Sequence, residues 1–306
     1  NSIDSLKENI ISVFSQLSFL YKNAAMIEQI KAFFDMQNED LHREGTIVSK
    51  IESIKFIGVS YKYQNQKEYV LKDISFEIKT GETYVIMGYN GSGKSTLMKI
   101  VMGIYNDYEG KILVNNVDRK KVDLISYREK IGVLFQDYIK YETSIEDNIA
   151  YGNLETKSEK YTVEETMKKV QLHGLLERKK QQLGYQFNEG LQLSVGQWQK
   201  IALGRTLISD SDVYIFDEPN ASIDLMSENA ILNAIMENSE EKIRIVIMHR
   251  FNKIVEKADS IITLSNGCIE ENGKHQELLN RIGLYYRLHS LQNEIVASTN
   301  KVNGKE

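Results

Sequence analysis

One short stretch limits what this 306-residue chain can fold into more than any other. It reads Gly88-Tyr-Asn90-Gly91-Ser92-Gly93-Lys94-Ser95-Thr96 and directly follows the apolar run Thr83–Met87. The spacing G-x-x-x-x-G-K-S predicts a strand, a glycine loop and a helix in that order. Glycines let backbone N–H groups close around an anion. The helix from Lys94 aims its positive end at the same anion. Lys94 then reaches the outer phosphates of a nucleotide, and the Ser95 hydroxyl is a ligand for Mg²⁺. Average composition would give the four fixed positions by chance in about one chain in a hundred of this length.

Three more apolar runs have the same character: Ile131–Phe135, Val213–Phe216 and Ile243–Met248. Such runs suit parallel strands buried on both faces. They end in Gln136, in Asp217-Glu218 and in His249. Ligands of open α/β sheets bind at the carboxyl ends of the strands, so the four ends predict one shared site. Asp217 is the candidate for supporting hydrated Mg²⁺. Glu218 is the candidate general base, a role worth about 10²–10⁴-fold. Taken alone, an Asp-Glu pair reads as a solvated turn, Gln136 as a capped turn and His249 as structural. The loop at 88–96 reverses that weighting.

Composition sets the class. The chain is 42% apolar and 26% charged, which excludes wholesale disorder. A net charge of −5 shows no basic excess pointing to nucleic acid. A single cysteine excludes an internal disulfide and indicates a reducing compartment. There is only one proline, Pro219, where average usage would give about fifteen.

Around this core, Ile51–Tyr63, Tyr69–Lys79 and Lys111–Val117 show alternating or β-branched apolar residues separated by polar turns, as strands do. Thr143–Glu146 and Thr162–Glu165 have capping-box spacing, and Thr162–Lys180 predicts one helix. Residues 1–44 lack Gly and Pro, and Gly45 is the expected stop. Ile3, Leu6, Ile10, Val13, Leu17, Leu20, Ala24 and Ile27 recur at helical steps. A 35-residue helix would run about 52 Å and needs a partner for its stripe. Pattern alone leaves open whether that partner is its own domain or a surface outside it. The longest uncharged run, Asn9–Tyr21, reads as too short and too polar to span a bilayer.

A second candidate anion site lies upstream of Asp217. Leu193-Ser194-Val195-Gly196-Gln197 opens a helical run to Leu207, with Ser194 as N-cap. Here the sequence resembles the ATP-binding-cassette (ABC) ATPases, whose signature is Leu-Ser-Gly-Gly-Gln. The resemblance covers roughly residues 50–290. Gln136 matches the family's Q-loop glutamine, which touches Mg²⁺ and the transmembrane domain. Ala221-Ser222-Ile223-Asp224 resembles the D-loop, and His249 the switch histidine. Tyr63 falls where the family stacks an aromatic on adenine, with Tyr61 two positions away as the alternative. Val195 departs from the pattern, placing a branched side chain where backbone should approach phosphate.

The resemblance implies an α/β P-loop NTPase: a mostly parallel core sheet with an antiparallel β subdomain, a helical subdomain at about 139–210 and a long N-terminal helix. It implies ATP and Mg²⁺ as cofactors, with Ser95, Gln136 and Asp217 around the metal. It also implies a head-to-tail homodimer in which Ser194, Gly196 and Gln197 act on the partner's ATP. Ile145–Gly152 and Gly267–Leu279 resemble exporter cassettes. Residues 1–45 are then expected to extend a last membrane helix, with the ATPase at 46–292 and a polar tail at 293–306. The expected setting is the cytoplasmic face of a bacterial membrane, with cargo contacting the membrane domain of the full exporter. Trp198 after the signature resembles peptide exporters, including those for lanthipeptides, and equally reads as a helix-packing aromatic. Lipid or drug cargo, or an ATP-gated dimerisation module that hydrolyses little, are the competing expectations.

Overall fold

The computed structural model describes residues 2–35, 45–64, 66–153, 162–219, 225–236 and 241–303. Contacts divide the chain into two units, Asn1–His42 and Arg43–Glu306.

The first unit is helix α1, Ser2–Phe34, and none of its residues is buried. It is long and apolar enough to cross a membrane. The uncharged run Asn9–Tyr21 is the middle of this longer helix, which extends beyond it on both sides. The expected stop at Gly45 follows residues outside the description.

The second unit begins with β1 (Ser53–Tyr61), β2 (Leu71–Lys79) and β3 (Thr83–Gly88), followed by α2 (Lys94–Val101). Next come β4 (Glu109–Val114), β5 (Val117–Asp118), α3 (Leu124–Glu129) and β6 (Ile131–Leu134). Helices α4 (Ile145–Ala150), α5 (Val163–Lys169) and α6 (Val195–Leu207) precede β7 (Val213–Asp217). The chain closes with α7 (Leu225–Met236), β8 (Ile243–Ile247), α8 (Lys253–Lys257), β9 (Ser260–Ser265), β10 (Cys268–Gly273), α9 (His275–Arg281) and α10 (Leu284–Asn303).

Two sheets result. The larger has the order β10-β9-β3-β8-β7-β6. Its β9, β3, β8, β7 and β6 are parallel, and β10 joins the edge antiparallel. Every residue of β3 and β8 is buried, Arg244 included, as their largely apolar runs predict. The smaller sheet, β2-β1-β4-β5, is antiparallel throughout. Strands β3, β8, β7 and β6 are parallel and adjacent, so their carboxyl ends lie along one edge of the larger sheet. Val85, Phe216, Val246, Ile201 and Ile231 lie in the core that packs this sheet against α6 and α7.

Two helix expectations need correction. Ser144, not Thr143, caps α4: its hydroxyl accepts from Asp147 N at 3.0 Å. Thr143 is instead used by Asn148, whose amide donates to its hydroxyl at 3.0 Å. The predicted helix Thr162–Lys180 begins with the expected capping box but stops at Lys169. Gln171 takes a left-handed backbone (φ 56°), which no continuing α-helix accommodates, and a tighter 3₁₀ turn follows at His173–Arg178.

Candidate functional site

At that edge lies a cleft of about 370 Å³. It is lined by Tyr63, Asn90, Gly91, Gly93, Lys94, Ser95, Thr96, Gln136, Asp217, Glu218 and His249, with Val70 and Ile247. Four strand ends that are far apart in sequence thus meet in one place.

The loop between β3 and α2 wraps tightly. Lys94 Nζ donates to the carbonyls of Gly88 and Tyr89, each at 2.9 Å, and so sits folded over the loop. Burial pushes its ammonium below the ordinary lysine range. Gly88 and Ser92 form the back of the loop rather than the lining. A Cβ at Gly88 would stand 2.2 Å from the Leu264 carbonyl oxygen, so only glycine fits. At Gly91, by contrast, a Cβ would meet nothing within 4 Å, because that position faces the open cleft.

The acids crowd the opposite wall. Asp217 ends β7 with its carboxyl raised above 3.8, first by burial and then by Glu218 beside it. Glu218 leaves the strand in a left-handed backbone (φ 48°), and its N–H donates to Ile247 O at 3.2 Å. Its two carboxylate oxygens are both engaged. His249 Nε2 lies 3.0 Å from Oε1, and Gln136 Nε2 donates to Oε2 at 3.4 Å. Burial and Lys94 push His249 below 6.5, although Glu218 opposes this. The imidazole is therefore neutral at pH 7, and the tautomer with its proton on Nε2 suits the Glu218 contact.

The two tyrosines separate clearly. Tyr61 is buried and stacks on Tyr105 at 5.1 Å and 10°. Tyr63 lines the cleft, and its hydroxyl is 2.9 Å from Thr96 Oγ1.

The signature residues are not in the cleft. Ser194 caps α6 by accepting from Gln197 N at 3.2 Å, and Gln197 Oε1 accepts from Ser194 N at 2.9 Å. Val195 is 52% exposed, and a Cβ at Gly196 would meet nothing within 4 Å. Asp224 and the rest of Ala221–Asp224 lie outside the described residues.

Two side chains that sequence reasoning missed tie these parts together. Tyr138, two residues after Gln136, donates its hydroxyl to Val195 O at 3.2 Å. Gln199, only 3% exposed, donates to Pro219 O next to Glu218. Both α6 contacts reach backbone carbonyls distant in sequence, and no local pattern announces them.

Oxygen donors suit a hard cation. Ser95, Gln136 and Asp217 supply a hydroxyl, an amide and a carboxylate around one cleft. Among the described residues no three His, Cys, Asp or Glu cluster as a metal cage. That fits Mg²⁺, which takes one or two protein ligands and completes its shell with phosphate and water. The upward shift at Asp217 comes first from burial and then from the neighbouring Glu218 carboxylate, and a cation beside it would oppose both.

Residues 71–221 match the ABC transporter family. The chain is 34% identical over 297 residues to the subtilin transport ATP-binding protein SpaT of Bacillus subtilis, covering 95% of this chain and 48% of SpaT. It is 36% identical over 293 residues to the nisin transport ATP-binding protein NisT of Lactococcus lactis, covering 91% of this chain and 48% of NisT. This chain carries an ABC transporter ATP-binding domain. The fold of the ABC domain agrees: the structure of a bacterial Atm1-family ABC exporter with ATP bound superposes with a TM-score of 0.77. That match has 28% identity and covers 88% of this chain and 47% of the exporter. The ABC domain and α1 together thus span about half the length of these relatives.

Proposed function

We propose that this chain binds ATP with Mg²⁺ and hydrolyses it to power export by a longer transporter at the cytoplasmic face of a membrane. The observation that carries this is the meeting of Lys94, Asp217, Glu218, Gln136 and His249 around one cleft. Adenine stacks on Tyr63, and the loop from Gly88 to Thr96 cradles the phosphates. Ser95, Gln136 and Asp217 would hold Mg²⁺, which would supply neutralisation of phosphate charge. Glu218 takes the proton of the attacking water. Neutral His249 donates to Glu218 and so orients the base. The Gln136 contact does the same from the other oxygen, and both exchange partners when nucleotide enters.

The open end of α6 supports head-to-tail pairing. Ser194, Gly196 and Gln197 then face the ATP of a second copy. The Ser194 lone pair is used by its cap, which leaves its O–H as a donor for phosphate. Helix α1 continues a membrane helix of the same polypeptide, and cargo contacts that membrane domain. The names of SpaT and NisT favour a lanthipeptide-like peptide as cargo.

A second reading is an ATP-gated pairing module with little turnover, favoured by Val195 at the exposed start of α6. Steady-state ATPase assays at high protein concentration separate the two. Glu218→Gln is expected to lose about 10²–10⁴-fold in kcat while keeping ATP-dependent dimers. Equal turnover in both proteins overturns the catalytic assignment.

A further inference from the structure

The segment leaving β8 carries His249 and then Phe251. Both backbone polar groups of Phe251 are taken by one side chain. Its N–H donates to Gln292 Oε1 at 2.8 Å, and its C=O accepts from Gln292 Nε2 at 3.3 Å. The two residues are 41 positions apart. The Phe251 ring is held edge-on by Tyr285, at 5.1 Å and 71°, and by His289, at 4.9 Å and 86°. Tyr285, His289 and Gln292 follow at steps of four and three, so one face of α10 makes all these contacts.

That face is itself anchored. Tyr285 is fully buried, and its N–H donates to Glu271 Oε2 at 2.7 Å. Its hydroxyl lies 2.5 Å from His275 Nδ1 on α9. A helix that merely covers a core needs apolar contacts alone. Here an amide pairs with one backbone residue as a neighbouring strand would, two positions beyond His249.

We propose that α10 is a latch on the His249 segment and that Gln292 is its positioning residue. The inference rests on the role proposed above for His249. By fixing the Phe251 backbone, Gln292 sets where His249 Nε2 stands against Glu218. The C-terminal end of the chain thereby acquires a handle on hydrolysis, because displacing α10 moves a group in the cleft.

Hydrogen–deuterium exchange and ATPase kinetics on the whole chain test this. Gln292→Ala should speed exchange of the Phe251 amide and lower kcat, each about threefold to tenfold, the range of one net hydrogen bond. The ATP dissociation constant should stay unchanged, and the thermal midpoint should fall by no more than about 2–4 °C. Gln292→Glu keeps an acceptor for the Phe251 N–H and should recover most of the amide protection. In a His249→Ala background, Gln292→Ala should cause no further loss of kcat. Unchanged exchange at Phe251 in Gln292→Ala overturns the latch, whatever the turnover. An equal loss of kcat in the His249→Ala background overturns the positioning role. If the parent chain shows no Glu218-dependent turnover, the proposed ATPase function fails instead, and the exchange arm still decides the latch.

Discussion

The molecule builds a glycine-bearing helix N-terminus twice, at α2 and at α6, and finishes only one of them. The α2 end is enclosed. Leu264 presses on Gly88, Lys94 folds back over the loop, and the acids of β7 face it. The α6 end is capped within itself by Ser194 and Gln197 and presents Gly196 to open space. Both ends attract anions through the same unpaired N–H groups. The difference is in what surrounds them. In the proposed head-to-tail pairing, the walled helix end is the half-site of one copy and the bare end completes the half-site of the other.

Adding one methyl group to each end breaks the comparison most directly. Gly88→Ala puts a Cβ 2.2 Å from a backbone oxygen that cannot yield. We expect it to abolish ATP binding and to destabilise the domain by about 1–3 kcal/mol, read by denaturant unfolding.

The link between the two ends is the next target. Gln199→Ala removes the donor to Pro219 O and should cost about 1–3 kcal/mol through the unpaired carbonyl. Turnover should fall further than ATP affinity, because Pro219 adjoins Glu218; equal falls would disconnect α6 from the base. Pro219→Ala should show the same split in a milder form.

A smaller effect carries a sign. The folded Asp217 carboxyl is raised above 3.8 by burial and by Glu218. The unfolded chain therefore loses this proton first, and stability drops as pH rises from about 3.8 through the folded value. Asp217→Asn should raise the melting temperature at pH 7 and lose that advantage at pH 3. A lower melting temperature at pH 7 would refute the argument from burial and from Glu218.

The smallest effect on stability belongs to the bare end. Gly196→Ala should leave stability unchanged or raise it by up to about 1 kcal/mol, since alanine is the better helix former. ATP-dependent pairing, measured by light scattering, should nevertheless weaken. Opposite stability signs at Gly88 and Gly196 would sharpen the distinction between an enclosed end and an open one.

Much of this arrangement was legible in the sequence. Strands β3, β6, β7 and β8 announced themselves as largely apolar runs, and the residues that follow those runs named the cleft. The N-caps of α5 and α6 were readable for the same reason: their hydrogen bonds span three residues. Thr143 and Ser144 were confused because both are good caps and only the turn geometry chooses. The end of α5 was missed because Gln171 does not advertise a left-handed backbone as glycine does. Tyr138, Gln199 and Gln292 were invisible for a deeper reason. Each reaches a main-chain atom between 20 and 57 residues away, and a main-chain partner leaves no mark on residue type.

Helix α1 has one more consequence, and it is colloidal. It offers water a row that includes Ile3, Leu6, Phe14, Phe19, Leu20, Ile27 and Phe33, each more than half exposed. A surface of that kind aggregates in plain buffer and is quiet in detergent. The chain should therefore self-associate without nucleotide, and mild detergent should reverse this. Any mass increase on adding ATP becomes evidence of pairing only after that background has been suppressed.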